Sequence, residues 1–421
     1  MNYKEALDYI ASSEHLGTKL GLDNIRELLE RLGNPQKSLR FVHVAGTNGK
    51  GSCCAMLSSV LRRAGCKTGL YTSPYIFRFN ERMQINSKQI EDGALASLIE
   101  EVKPAAEAME NQPTVFEIIT AAALLWFARE GCDIVVLEVG LGGRFDATNI
   151  IDCPELAVIM NIGLDHTELL GNTLEQIAFE KAGIIKPGCE TVLYNQSSAV
   201  EEVIRGICAE RGSPLRIADF SAIEPGFNSL EGQSFSYKGQ TYALPLLGAH
   251  QLKNAAVVIE AVNALRERGW KIEDDALEHG LYSVFWPARF EICAEEPYFV
   301  VDGGHNPQCA STVVQNLADY FPGFRHVLLV GVLADKDYPT LFKILNLAAG
   351  EYVCVTPESP RALPASSLAE HLKQYGKPVT VCQSIEDGVF TAIEKAGSDG
   401  MVCAVGSLYM TGEIRNCLGL Y

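Results

Sequence analysis

At 421 residues, 47% hydrophobic and 21% charged, the chain has the composition of a soluble globular protein and the length for two or three domains. A net charge of −17, with no Lys/Arg cluster interleaved with aromatics, argues against a nucleic-acid partner, and apolar runs no longer than a strand argue against a membrane span. Thirteen scattered cysteines without a Cys-x-x-Cys pair read as reduced thiols, and an N-terminus with acidic residues and no apolar core does not read as a signal peptide, so the expected location is cytoplasmic.

The N-terminal stretch has helical spacing (Ala6, Leu7, Ile10, then Ile25, Leu28, Leu29), interrupted over residues 17–22 by a loop that suits either a helix connector or a ligand cover. Next, the apolar run Phe41-Val42-His43-Val44 stops at Gly46-Thr47-Asn48-Gly49-Lys50-Gly51-Ser52, and beyond Lys50 the positions Met56, Leu57, Val60 and Leu61 are helical. A Gly-rich turn from a buried strand into a helix is a phosphate cradle. Backbone N–H groups converge on an anion, the helix dipole adds positive charge, Lys50 adds a full charge and Ser52 offers a hydroxyl to Mg²⁺. Val44 in place of the first Gly, and Gly51 between Lys50 and Ser52, depart from the usual phosphate loop. A tight turn with an exposed lysine is the plainer alternative.

A short strand over 67–71 leads into Thr72-Ser73-Pro74-Tyr75-Ile76-Phe77-Arg78-Phe79-Asn80-Glu81-Arg82, whose aromatics and arginines suit a flat aromatic ligand bearing carboxylates, or else a surface loop anchored by its rings. A helix beginning near Thr114 and Phe116 precedes a second buried strand over 133–139, which delivers Glu138 and the loop Gly140-Leu141-Gly142-Gly143-Arg144-Phe145-Asp146-Ala147-Thr148-Asn149. A glutamate at a strand's carboxyl end beside a Gly-rich loop is a natural Mg²⁺ ligand, or a salt-bridged strand end. A third strand over 156–162 delivers Gly163-Leu164-Asp165-His166. Phosphate loop, Ser73, Glu138 and His166 each follow a strand-like run, so one parallel sheet would gather them at one edge.

A helix over 173–182 reads as N-capped by Thr173, with Gln176 completing a capping box and Gly183 closing it. By spacing alone Lys181 is a helix-surface lysine. Residues 214–247 alternate in short segments, which predicts an antiparallel flap of two or three strands, and Gly248 to Ala256 opens a long helix carrying Asn254. A boundary falls near Phe285-Trp286-Pro287-Ala288-Arg289-Phe290, beyond which strands near 298–301, 326–332, 351–355 and 401–405 alternate with helices. Arg289 on this linker could swing onto phosphates or form a linker salt bridge. The first strand of this second domain ends at Asp302-Gly303-Gly304-His305-Asn306-Pro307, with Asn306 suited to a cap and Pro307 to a first turn.

Taken together, Gly-Thr-Asn-Gly-Lys-Gly-Ser, Thr-Ser-Pro with Phe-x-Glu-Arg, Gly-Leu-Asp-His, Glu-Lys-Ala-Gly-Ile, Asp-Gly-Gly-His-Asn-Pro and Gly406-Ser407-Leu408-Tyr409 resemble the folylpolyglutamate synthase/dihydrofolate synthase family of the Mur ligase superfamily, in order and spacing over nearly the whole chain. The one departure in the second-domain motif is Gly304 where the family has Ala. The resemblance implies an α/β protein: an N-terminal P-loop ATPase domain (1–284) with a mainly parallel sheet and an antiparallel flap, a hinge linker (285–290) and a C-terminal Rossmann-like domain (291–421). It implies an ATP-dependent ligase joining L-glutamate to a folate through an acyl phosphate, with dihydropteroate as a second candidate acceptor. ATP would lie on Thr47, Asn48, Gly49, Lys50, Gly51, Ser52, Asn254, Arg289 and Asp302. Mg²⁺ would take Ser52, Ser73, Glu138, His166 and a carbamylated Lys181. The acceptor would meet Thr18, Lys19, Leu20, Arg82, Thr114, Phe116, Phe145, Asp146 and Ala147, and glutamate would meet His305 and Ser407. Lys50, His166, Lys181, Arg289 and His305 would act in catalysis, with domain closure excluding water, in a monomer. The alternatives are a Mur-type ligase acting on a UDP-linked precursor and a phosphate-loop regulatory ATPase.

Overall fold

The computed structural model describes residues 1–17 and 21–420, so Thr18, Lys19 and Leu20 lie outside the described residues. Two compact units divide the chain. The first comprises Met1–Glu224, Ser236–Ala243 and Lys253–Val284, and the second Pro225–Phe235, Leu244–Leu252 and Phe285–Tyr421.

The first unit is built on strands β1 (Phe41–Ala45), β2 (Thr68–Tyr71), β3 (Met83–Ile85), β4 (Lys88–Gln89), β5 (Ile134–Glu138), β6 (Leu156–Ile159), β7 (Glu190–Leu193) and β8 (Leu215–Ile217). They form one sheet in the order β4-β3-β2-β5-β1-β6-β7-β8, parallel from β2 to β8, with β3 and β4 added antiparallel. Every residue of β1 and β5 is buried, which is why both read as mostly apolar rather than alternating, with His43 inside β1 and Glu138 at the end of β5 as the polar exceptions. The chain leaves β1 for β2 on one side and reaches β6 on the other only after β5. The carboxyl end of β1 is therefore the topological switch point at which such sheets open a crevice.

A three-stranded antiparallel sheet follows, β9 (Ile223–Ser229), β10 (Gly232–Tyr237) and β11 (Gln240–Leu244), in the order β11-β10-β9. The expected flap is thus present, but it starts later than residue 214, because β8 pairs with β7 in the large sheet.

The second unit contains β12 (Glu291–Glu295), β13 (Tyr298–Val301), β14 (Arg325–Val330), β15 (Glu351–Cys354), β16 (Val379–Val381) and β17 (Gly400–Val405), ordered β12-β13-β17-β14-β15-β16. All pairs are parallel except the edge strand β12. Residues 225–235 and 244–252, expected with the first domain, group here for packing reasons. Leu247 enters the core with Phe290, Val300 and Phe321, Gly248 N donates to the Tyr320 hydroxyl, and Gln233 Nε2 donates to the Gly248 carbonyl.

Several local expectations need correcting. β6 stops at Ile159, leaving 160–166 as loop. Thr173 does cap its helix, accepting from Gln176 N, but the Gln176 side chain accepts from Asn172 N instead of closing a box. Gly183 does not end that helix in a left-handed cap. It lies in a following turn, where a Cβ would stand 2.3 Å from Arg144 Cα, so its smallness serves the close approach of another loop. All thirteen cysteines are free, and no helix among the described residues is long and apolar enough to cross a membrane.

Candidate active site

The carboxyl end of β1 turns at Gly46 into the phosphate loop, and the helix Lys50–Arg63 starts from Gly49, whose φ of 84° is left-handed. A Cβ there would meet Asn254 Oδ1 at 2.8 Å, so glycine serves both the turn and the approach of the helix Ala249–Glu267, which brings buried Asn254 onto the loop. Thr47 N and Asn48 N both donate to the Asn161 carbonyl, while the Thr47 hydroxyl and Gly163 exchange two 3.0 Å hydrogen bonds. The phosphate loop is thereby stitched to the segment that ends in His166. Lys50 Nζ folds back to 3.4 Å from the Thr47 carbonyl, and Ser52 is buried in the first turn of the helix.

Glu138 leaves β5 buried, and its Oε2 accepts from Ser73 N at 3.1 Å, so the ends of β2 and β5 meet as their pairing requires. Burial, and then the Glu138 charge, push up the thiols of Cys53 and Cys54 on the phosphate-loop helix, which places that carboxylate's field on the same helix. His166 has a left-handed φ of 50°, and its imidazole Nε2 is 3.9 Å from Asp165 Oδ1. Among the described residues no three His, Cys, Asp or Glu side chains gather as a metal cluster; the expected set contains two of these types, with hydroxyls and a modified lysine for the rest.

Lys181 is not on the surface. It is 5% exposed, and its Nζ donates to the Gly46 carbonyl at 2.9 Å. Burial, then the neighbouring Lys50 charge, lowers its pKa to about 7, with Asp165 and Asp146 acting in the opposite direction. The helix periodicity concealed this, because the residue faces the strand ends rather than the solvent.

The loops expected to meet the acceptor are well tied down. Glu81 accepts from the backbone N–H groups of Ile76, Phe77 and Arg78, and Arg82 lies over the rings of Tyr75 (5.2 Å) and Phe79 (5.5 Å). In the loop after β5, buried Asp146 accepts from Leu141 N and Thr148 N, Ala147 is buried, and half-exposed Phe145 carries the Arg144 guanidinium 4.6 Å above its ring. Thr114 caps the helix Val115–Arg129 in a box with Glu117, and Phe116 packs beneath Gly140. Burial raises the Asp146 pKa against the pull of these hydrogen bonds. Two residues here carried no assignment from the sequence, His43 and Thr148; only the polar character of His43 in an apolar strand signalled them.

In the second unit, β13 and β17 are parallel neighbours, and their ends bring Asp302, His305 and Ser407 to one edge, linked by Gly406 N to the Gly304 carbonyl. Buried Asp302 accepts from Gly304 N and Phe290 N. Burial raises its pKa and the Arg289 charge opposes the rise. Arg289 lies between two residues of positive φ, Ala288 and Phe290, and donates to the Ala288 carbonyl. His305 Nδ1 is 3.0 Å from the Gly303 carbonyl, and the Ser407 hydroxyl accepts from Tyr409 N. Asn306 and Pro307 cap and open the helix Pro307–Tyr320, as expected.

The chain matches the Mur ligase middle domain over residues 44–262 and the Mur ligase glutamate ligase domain over 288–408. It is 38% identical to the dihydrofolate synthase/folylpolyglutamate synthase of Bacillus subtilis, with 99% of each chain covered, and 35% identical to the folylpolyglutamate synthase of Lacticaseibacillus casei, again over 99% of each. Among solved structures it superposes on Escherichia coli FolC in complex with DHPP and ADP (TM-score 0.89, 30% identity, 100% and 98% covered). It also superposes on Mycobacterium tuberculosis folylpolyglutamate synthase complexed with ADP and AMPPCP (TM-score 0.90, 30% identity, 98% and 99% covered).

Proposed function

Since the chain belongs to the folylpolyglutamate synthase/dihydrofolate synthase family of the Mur ligase superfamily, we propose that it is an ATP-dependent ligase adding L-glutamate to a folate, with dihydropteroate as a second acceptor. The observation that carries this reading is the junction of the phosphate loop, the Ser73–Glu138 pair and the tethered loop 140–149 at adjacent strand ends β2, β5 and β1.

A carboxylate and an ammonium do not condense near neutral pH. The acceptor carboxylate attacks the γ-phosphorus of ATP, an O–P bond forms as the bond to ADP breaks, and the resulting acyl phosphate is attacked by the glutamate amine, which releases phosphate and forms the amide. Lys50 and the loop amides hold and neutralise the phosphates, Asn254 fixes the nucleotide, and Arg289 and Asp302 are assigned to nucleotide binding as well. His305 and Ser407 hold the incoming amino acid, with the imidazole taking the proton that its amine must lose.

The residues fit Mg²⁺. Ser52, Ser73 and Glu138 are hard oxygen donors, His166 adds a nitrogen, and Glu138 is buried beside the phosphate-loop helix. When bound, the ion would offset phosphate charge and orient the terminal phosphoryl group. Lys181 joins this set as a carbamate: its neutral amine adds to CO₂, an N–C bond forms and a proton leaves to solvent, so a buried cation becomes an oxygen-bearing anion. A monomer in the cytoplasm, where ATP and folates are found, suffices for this chemistry.

The test is to offer the protein ATP, Mg²⁺ and labelled glutamate with dihydropteroate or tetrahydrofolate. Label in an acceptor, dependent on ATP, is expected. Steady ATP hydrolysis with neither acceptor nor glutamate, and no label transfer, would overturn the reading.

A further inference from the structure

His43 has no part in the reaction as described, yet it is a fully buried polar side chain at the centre of the large sheet. It stands level with Leu137 of β5 and Ala157 of β6, three residues before the phosphate loop. Its Nε2 is 2.9 Å from Thr148 Oγ1. The Thr148 hydroxyl in turn donates to Asp146 Oδ1, while Asp146 Oδ2 accepts from Leu141 N at 2.8 Å. The direction of this chain is determined by its ends. A carboxylate can only accept, so the threonine proton points to Asp146, and the threonine oxygen must then accept from an Nε2–H. The other ring nitrogen, Nδ1, has no hydrogen-bond partner among the described residues, as a neutral Nε2–H imidazole allows. Burial, and then the charge of Lys186, keeps the ring neutral, with a pKa lowered to about 3.

Lys186 braces the loop from its far end, its Nζ donating to the carbonyls of Asn149 and Ile151, and the Asn149 side chain ties back to the carbonyls of Arg144 and Gly183. Residues 141–151 are therefore suspended from the sheet and its neighbours by polar contacts. His43 reaches the Asp146 turn from the strand that ends in the phosphate loop, through Thr148.

We propose that His43 is a positioning residue for acceptor binding: acting through Thr148, it fixes the Asp146 turn and so sets where Phe145 and Ala147 are presented to the folate. This rests on the reading above that the loop after β5 meets the acceptor. The role is confined to the acceptor side, because the register of β1, and with it the phosphate loop, is held by backbone pairing to β5 and β6 that the imidazole does not share.

The experiment compares KM for acceptor, ATP and glutamate in His43→Leu, Thr148→Val, Thr148→Ser and Phe145→Ala proteins. His43→Leu and Thr148→Val should each raise acceptor KM about tenfold, the scale of one lost hydrogen bond in a chain ending on a charge, with ATP KM unchanged. Thr148→Ser, which keeps the hydroxyl, should restore the wild-type value; a packing role for Thr148 alone would not predict that rescue. Phe145→Ala separates the two levels of inference. If it raises acceptor KM while Thr148→Val and His43→Leu leave it alone, the positioning role is wrong and the loop reading stands. If Phe145→Ala has no effect, the loop reading fails and the positioning role with it. Equal rises in acceptor and ATP KM for His43→Leu would make the residue a general structural one and overturn the proposal. Should His43→Leu fail to fold, the Thr148→Val and Thr148→Ser pair decides.

Discussion

A lysine amine 2.9 Å from the Gly46 carbonyl, buried and beside the Lys50 cation, is a costly place for a positive charge. Its pKa of about 7 places its titration within the working range. The neutral amine alone attacks CO₂, and its share grows as pH rises through 7, whereas a lysine at the ordinary value would stay ammonium throughout. Carbamylation should therefore need less bicarbonate at pH 8 than at pH 6, and activity should follow it. Intact mass and turnover measured across bicarbonate concentrations at both pH values check this; equal activity with and without bicarbonate, on protein lacking the carbamate mass, would contradict it. The Glu-Lys-Ala-Gly-Ile motif marked Lys181 only through family resemblance. Its burial was not legible in the sequence, because helical spacing reports which face is apolar and not where a polar residue on that face is directed.

At the scale of elements, buried parallel strands were the easiest to read. β1 apart from His43, β5 up to Glu138, residues 327–330 of β14 and 401–405 of β17 are apolar and buried. Edge strands were not. β12 and β16 are short and only partly buried, so their alternation is weak, and β8 falls within the stretch expected to form the flap because nothing in Leu-Arg-Ile separates a sheet edge from a hairpin. Loops were legible by composition and not by construction. Glu81 belongs to a motif recognised for its arginine, yet its carboxylate holds three successive backbone amides and thereby shapes the aromatic loop. Glu81→Ala leaves those donors unpaired, which should loosen the loop and raise acceptor KM by about tenfold while sparing ATP KM. Steady-state kinetics with each substrate varied in turn would show it, and an unchanged acceptor KM would mean that the loop does not touch the acceptor.

For the whole molecule, a net charge of −17 sets a general field against anionic substrates, so on the proposed reading binding comes from local features: the phosphate loop with Lys50, the arginines of the aromatic loop, and Arg289, whose charge acts on Asp302. Each unit has its own core, and in each the proposed site includes residues that follow the carboxyl ends of strands in its sheet. The sequence places a boundary near Phe285, where the helical pattern ends, Pro287 intervenes and strand-helix alternation restarts. The membership of residues 225–235 and 244–252 in the second unit was hidden, since it depends on Leu247 and Tyr320, far apart in sequence.

The claim that the first unit activates a carboxylate by phosphorylation is tested most directly with oxygen. An acceptor whose carboxylate carries ¹⁸O should pass one labelled oxygen to the phosphate released during glutamate addition, because the acyl phosphate keeps that oxygen between carbon and phosphorus until the amine displaces it. Phosphate free of label, alongside normal amide formation, would contradict the account.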